Sequence, residues 1–201
     1  MGSDQEQIVE EKNLAKCRFL NENFLYHCRD KTVLEIGCFE GHITEWIVKN
    51  NPSKLVLLEA AAMPAECVSR KFLDATVIHG DMHKDLDKVG KVDVALVLGV
   101  IYHSHAPLHV LEELVNCCDP TTIIIDNMAP CFDWNHETAN TPGMRYVIDN
   151  KKTCELIITI DNKLTIQAML NLGYELITQN VYPAEARGNG NPILHFQKYE
   201  R

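Results

Sequence analysis

The chain has 201 residues, 46% of them hydrophobic and 23% charged, which suits one soluble α/β domain with a full core. A net charge of −9 disfavours a broad grip on a phosphate backbone, so a nucleic acid is not the expected partner. No apolar run reaches the roughly 18 residues of a membrane span, and the polar residues 1–6 lack the core of a signal peptide, so a cytoplasmic protein without membrane contact is expected.

Residues 1–30 read as a helical segment ahead of a single domain over 31–201. Leu14, Cys17, Phe24, Leu25 and Cys28 recur at near-helical spacing, which predicts one or two helices within 5–29. The first strand is 32–36, and it runs into Gly37-Cys38-Phe39-Glu40-Gly41. A helix over 41–49 follows, stopped by Asn50-Asn51-Pro52. The second strand, 54–58, ends at Glu59, and a helix over 63–72 has Pro64 in its first turn, where a missing N–H costs little. The third strand, 75–79, leads into Gly80-Asp81-Met82. The fourth, 92–98, is nearly all apolar, as a strand covered on both faces should be. A helix over 108–117 and a fifth strand over 121–126 complete the alternation.

Past Asn127 the pattern changes. Residues 128–163 read as an insertion holding Pro130, Trp134, Pro142 and Gly143 and then an apolar piece, 156–160. A helix over 164–172 is ended by Gly173. Two strands, 174–181 and 193–199, leave no room for a crossover helix and must pair antiparallel. The expected architecture is an α/β fold with a doubly wound, mostly parallel seven-stranded sheet and an antiparallel last strand.

The cysteines stand at 17, 28, 38, 67, 117, 118, 131 and 154, with no C-x-x-C pair and no zinc-ribbon or finger spacing. Most lie in apolar segments, so reduced thiols and no metal site are expected.

Open α/β sheets bind ligands at the carboxyl ends of their strands. Here the first strand gives the glycine turn, with Glu35 just before it. The second ends in Glu59, whose carboxylate can accept two hydrogen bonds from a ribose diol. After the third, Asp81 suits the exocyclic amine of an adenine and Met82 its ring face. The fourth ends in Leu98-Gly99-Val100, where a glycine lets backbone and ligand meet. A dinucleotide would need G-x-G-x-x-G against its pyrophosphate, but the second and third glycine positions are Phe39 and His42. A ligand with ribose and adenine but no phosphate fits better, and S-adenosylmethionine is such a ligand.

These residues resemble the class I S-adenosylmethionine-dependent methyltransferases, with their Rossmann-like fold, over about residues 31–199. The likeness lies in the E-x-G-x-x-x-G turn, the acidic end of the second strand, the Gly-Asp after the third, and the antiparallel final pair. It implies cofactor roles for Glu35, Gly37, Gly41, Glu59, Asp81 and Met82. Cys38, Phe39, Ala60, Gly80, Gly99 and Tyr102 complete the expected contacts. Phe39 replaces the usual small residue, so its ring must point away from the methionine part or narrow the pocket. Residues 99–108, Gly-Val-Ile-Tyr-His-Ser-His-Ala-Pro-Leu, are also similar to a segment of the tRNA wobble-uridine carboxymethyltransferase group. That group's tRNA-binding extensions are absent, so its site geometry is carried over and its substrate is not.

Methyl transfer needs mainly position and, for some acceptors, a base. Tyr102 and His103 follow the fourth strand, beside where the methyl should lie, and His103 suits proton abstraction from an O or N acceptor. The plainer reading has His103 capping the next helix or orienting Tyr102. His105 and His109 are expected at the surface. Asn127, Trp134, Arg145 and Tyr146 are the expected substrate contacts, with a small molecule as the acceptor. The other class of function left open is a cofactor-binding protein without methyl transfer.

Overall fold

The computed structural model describes residues 3–126, 144–148, 156–182 and 192–200. Helix α1 (Ser3–Asn23) leads through a short 3-10 turn, Leu25–Cys28, into β1 (Thr32–Ile36). Then come α2 (Thr44–Lys49), β2 (Lys54–Glu59), α3 (Ala62–Lys71), β3 (Thr76–His79) and β4 (Val94–Leu98). Helix α4 (Pro107–Cys118), β5 (Thr122–Asp126), β6 (Met144–Ile148) and β7 (Leu156–Ile160) follow, and α5 (Asn162–Asn171), β8 (Tyr174–Val181) and β9 (Pro192–Lys198) close the chain.

The sheet order is β3-β2-β1-β4-β5-β9-β8, seven strands in all. The first five are parallel, β9 runs antiparallel to β5, and β8 antiparallel to β9, with an irregularity between Leu176 and Thr178. The strand order reverses between β1 and β4, so the carboxyl ends of these two strands flank the crevice where such sheets take ligands.

Alternation along each strand explains why the middle of the sheet is apolar on both sides. Leu34, Ile36, Val56, Leu58, Ala95, Val97, Ile123 and Ile125 meet Leu111 and Leu114 of α4 and Met169 of α5. Val33, Leu55, Leu57, Val94, Leu96 and Ile124 meet Leu20 and Phe24, Ile47 of α2 and Val68 of α3. Leu20 and its α1 neighbour Cys17 are buried, so the N-terminal helix is part of the second layer.

Several elements differ from their sequence expectations. Helix α2 begins at Thr44, not residue 41, because Gly41 has φ +82° and cannot enter a right-handed helix. β4 begins at Val94, two residues later than expected: Val92 N–H donates to Cys118 O, while Asp93 bonds Thr32 through both its own N–H and its carboxylate. The insertion contains a second strand: β6 pairs with β7 as an antiparallel two-stranded sheet. Helix α5 starts earlier than expected, capped by Asp161, which accepts from Lys163 N–H at 2.7 Å.

No helix among the described residues is long and apolar enough to cross a membrane. Also among them, no three His, Cys, Asp or Glu side chains gather as metal ligands. The described cysteines, at 17, 28, 38, 67, 117 and 118, are free thiols.

Candidate functional site

The turn after β1 is built around positions that need unusual backbone. Gly37 has φ +71°, and a Cβ there would lie 2.4 Å from Cγ2 of Val100. Its N–H donates to Leu58 O at 2.8 Å, which ties the turn to β2. Phe39 is also left-handed, with φ +48°. Its N–H donates to Glu59 Oε2 at 2.8 Å, and Ala61 N–H donates to Glu59 Oε1 at 2.9 Å. Both oxygens of the carboxylate ending β2 are thereby fixed, each with lone-pair capacity left. Phe39 is 57% exposed and belongs to neither apolar layer. Cys38 is buried, and its carbonyl accepts from Gly41 N–H at 2.9 Å.

Glu35 is buried and receives the Thr44 hydroxyl at 2.6 Å. Burial, with some help from the charge of Glu59, pushes its carboxyl up to about 7. It therefore braces the start of α2 from inside the turn.

After β3, Gly80 N–H donates to Glu59 O at 2.9 Å, so this loop is also anchored on β2. Asp81 Oδ1 accepts from His83 N–H at 2.8 Å, while Asp81 N–H donates to Asp85 Oδ2 at 2.7 Å. Met82 packs against the first apolar layer. The His83 ring stacks on His105 with centroids 4.2 Å apart, joining this loop to the segment before α4. That bridge has no signature in the sequence, since the two histidines are far apart along the chain.

Beyond β4, Gly99 has φ +73°. Tyr102 and His103 lie in the 3-10 turn Ile101–His103, their rings 4.4 Å apart, and β7 lies against the same turn. Tyr102 is half-buried and His103 exposed. The residue that caps the N-terminus of α4 is Ala106, and Ser104 Oγ accepts its N–H at 2.9 Å. His105 and His109 are exposed.

The end of β5 holds a cluster that the sequence only half suggested. Asp126 is fully buried, with Lys16 Nζ of α1 at 3.0 Å and the Tyr182 hydroxyl donating to the same oxygen at 3.1 Å. Burial, then the Asp126 charge, raises the Tyr182 phenol well above its ordinary range. Asp126 is the last residue of the predicted fifth strand, 121–126, and nothing in the sequence marks Lys16 or Tyr182 as its partners.

The structure thus brings Glu35, Gly37, Cys38, Phe39, Gly41, Glu59, Ala60, Gly80, Asp81, Met82, Gly99, Tyr102 and His103 to one edge of the sheet. Arg145 and Tyr146 are on β6, paired with Thr159 and Ile158. Asn127 and Trp134 lie outside the described residues.

The residues present fit an adenosyl ligand on geometry: a left-handed glycine turn, a ribose-competent carboxylate held by backbone, and an acidic residue beside an apolar one after β3. A family model described as a methyltransferase domain matches residues 9–153. No curated protein matches the sequence. Among solved structures, a Listeria monocytogenes protein assigned as an S-adenosylmethionine-dependent methyltransferase superposes with TM-score 0.69 at 14% identity, covering 93% of this chain and 100% of its own. The magnesium protoporphyrin IX methyltransferase of Synechocystis, with bound S-adenosylmethionine, gives TM-score 0.67 at 10% identity, covering 96% and 84%. The 1,6-didemethyltoxoflavin-N1-methyltransferase of Burkholderia thailandensis, with its namesake ligand and S-adenosylhomocysteine bound, gives 0.67 at 13% identity, covering 98% and 84%.

Proposed function

The chain belongs to the methyltransferase-domain family, and we propose that it moves a methyl group from S-adenosylmethionine to a small-molecule acceptor. The observation that carries the reading is Glu59, fixed by two backbone N–H groups from either side of the glycine turn and β2, with acceptor capacity left for a ribose diol. The net charge of −9 favours a small acceptor over a nucleic acid. A neighbour of the same fold holding 1,6-didemethyltoxoflavin alongside S-adenosylhomocysteine supports the same choice.

S-adenosylmethionine supplies a methyl already activated by its sulfonium, so the chain's work is positioning and, where the acceptor needs it, proton removal. In this reading the turn 37–41 lets the ligand approach backbone, Glu59 holds the ribose, and Asp81 with Met82 takes the adenine. Tyr102 narrows the space beside the methyl. His103, exposed and next to Tyr102, takes the proton of an O or N acceptor. Asn127, Trp134, Arg145 and Tyr146 are the residues proposed to choose the acceptor.

Calorimetric titration with S-adenosylmethionine, S-adenosylhomocysteine and NADH tests the reading. Binding of the two adenosyl ligands and not of NADH is the expected result. Binding of none, or of NADH alone, overturns it. Formation of S-adenosylhomocysteine in an acceptor screen would then separate a methyltransferase from a protein that only binds the cofactor.

A further inference from the structure

We propose that His83 and His105 form a proton-operated clasp at the mouth of the site, closed while their rings are neutral and loosened as they take up protons, so that ligand affinity falls on acidification. The proposal rests on this edge being an adenosyl site. The two rings stack with centroids 4.2 Å apart and planes 24° apart. His83 follows β3 and His105 follows β4, strands that are separated in the sheet by β2 and β1. The segments leaving them therefore start on either side of the glycine turn and Glu59, and they meet at this stack.

Each half of the clasp is held by its own backbone. On one side, Asp81 Oδ1 accepts from His83 N–H at 2.8 Å, and Gly80 N–H ties the same loop to Glu59 O. On the other, Ser104 is buried, its hydroxyl accepts from Ala106 N–H at 2.9 Å, and His103 N–H donates to Val100 O at 3.0 Å. Two imidazoles thus join the loop that offers Asp81 and Met82 to the turn that carries Tyr102 and His103.

Imidazoles make that joint sensitive, because their charge changes near neutral pH. Neutral rings stack, whereas two imidazolium ions face to face repel. His83 also has a buried Nε2 with no hydrogen-bond partner. Protonating the ring would place an N–H there with nothing to accept it. The charged and titratable groups facing His83 are Asp81 and Lys84 on its own loop, His105 opposite, and His109 of α4, which lies 3.7 Å from Glu112. Burial, then the charge of His105, outweighs the Asp81 carboxylate and holds His83 below its ordinary value. A group held low in the closed state binds its proton more readily in the open one, so acid favours opening.

The test is calorimetric titration with S-adenosylhomocysteine from pH 5.5 to 7.5 for wild type, His83→Phe and His105→Phe. Phenylalanine keeps a stacking ring and removes the titrating group. The three proteins should bind alike at pH 7.5. Toward pH 5.5, wild type should weaken by about three- to tenfold more than either variant, the range that linkage to one histidine allows. Other groups of the site, Glu35 among them, also titrate in this range, and their share is common to all three proteins. NMR of the histidine ring protons without ligand reads the joint directly. His105→Phe should raise the pH at which His83 titrates, because it removes the second of the causes that lower it. Parallel affinity profiles for wild type and the two variants, or a His83 titration indifferent to His105→Phe, would overturn the clasp and leave the adenosyl site standing. If wild type bound no adenosyl ligand at any pH, the site reading would fall and the clasp with it.

Discussion

On the β1–β3 side of the sheet, the ligand edge is fixed by bonds between near neighbours in sequence. Thr44 and Glu35 are 9 residues apart, Phe39 and Glu59 20, Ala61 and Glu59 2, and Asp81 and Asp85 4. On the β5–β8 side, the corresponding bonds join distant segments: Lys16 to Asp126 across 110 residues, and Tyr182 to Asp126 across 56. The first region is a property of strand–turn–helix units and needs little beyond them. The second exists only after α1, β5 and β8 have met. One consequence is rigidity on the first side, where backbone presses on packed side chains. The other is dependence on tertiary assembly on the second, where Lys16 and Tyr182 reach one Asp126 oxygen from separate segments of the chain.

Two glycines with nearly equal φ make the contrast measurable. Gly37 and Gly99 stand at +71° and +73°, so alanine pays about 1–2 kcal/mol of backbone strain at either. At Gly37 the new methyl would also drive into Val100, 2.4 Å away, adding about 1–3 kcal/mol of overpacking. At Gly99 it would meet the ammonium at the far end of the Lys16 side chain, at 3.3 Å, and Asp126 Oδ2 at 4.0 Å. Urea unfolding should therefore rank Gly37→Ala well below Gly99→Ala in stability, with Val100→Ala restoring part of the first loss. Equal losses at the two sites would break the comparison.

Proton linkage provides a second contrast, with opposite signs. Burial raises the Glu35 carboxyl from 4.5 to about 7, so the folded protein keeps a proton that the unfolded chain releases between those values. Its contribution is whole below 4.5 and is lost as pH rises through about 7. Glu35→Gln, which keeps an oxygen for Thr44, should thus gain stability over wild type as pH rises, by up to about 3 kcal/mol. His195, buried on β9 with its ring 4.5 Å from that of His27, behaves in reverse. Burial, then the charge of His27, lowers it from 6.5 to about 4, so the unfolded chain takes up a proton that the folded one refuses. Its contribution is whole above 6.5 and is lost as pH falls through about 4. His195→Gln should flatten that fall. Chemical denaturation of both variants from pH 4 to 8 checks the signs, and parallel profiles for wild type and either variant would contradict the corresponding assignment.

The same division explains what the sequence disclosed. The first five strands, the glycine turn and the acidic strand ends were legible because each is written in a short segment: an apolar run, a left-handed glycine, a carboxylate at the end. β6 was missed because Met144–Ile148 is a five-residue piece whose meaning comes from pairing with β7, across a polar stretch. Lys16 was missed for a related reason. Lys16 and Arg18 look alike in the sequence of α1, and only the packed position of the helix decides which cation turns toward β5. Phe39 was readable as a departure from a small residue, but the outcome was not: its backbone N–H, and not its ring, is the group engaged with Glu59.

The smallest effects bear on the ligand itself. Asp81→Asn keeps an oxygen for the His83 N–H, so the loop after β3 should hold and thermal stability should not move. The amide then presents a donor to the exocyclic amine of adenine, and affinity for S-adenosylhomocysteine and 5′-methylthioadenosine should fall together, by about tenfold. Tyr182→Phe removes a hydroxyl from the buried Asp126 and should lower stability by about 1–2 kcal/mol. It should leave 5′-methylthioadenosine affinity untouched, because Glu59 and Asp81, the proposed ribose and adenine contacts, lie on the β1–β3 side of the sheet. If Asp81→Asn spared 5′-methylthioadenosine, the adenine would lie elsewhere along the edge. If Tyr182→Phe weakened it, the β5–β8 side would not be separate from the β1–β3 side.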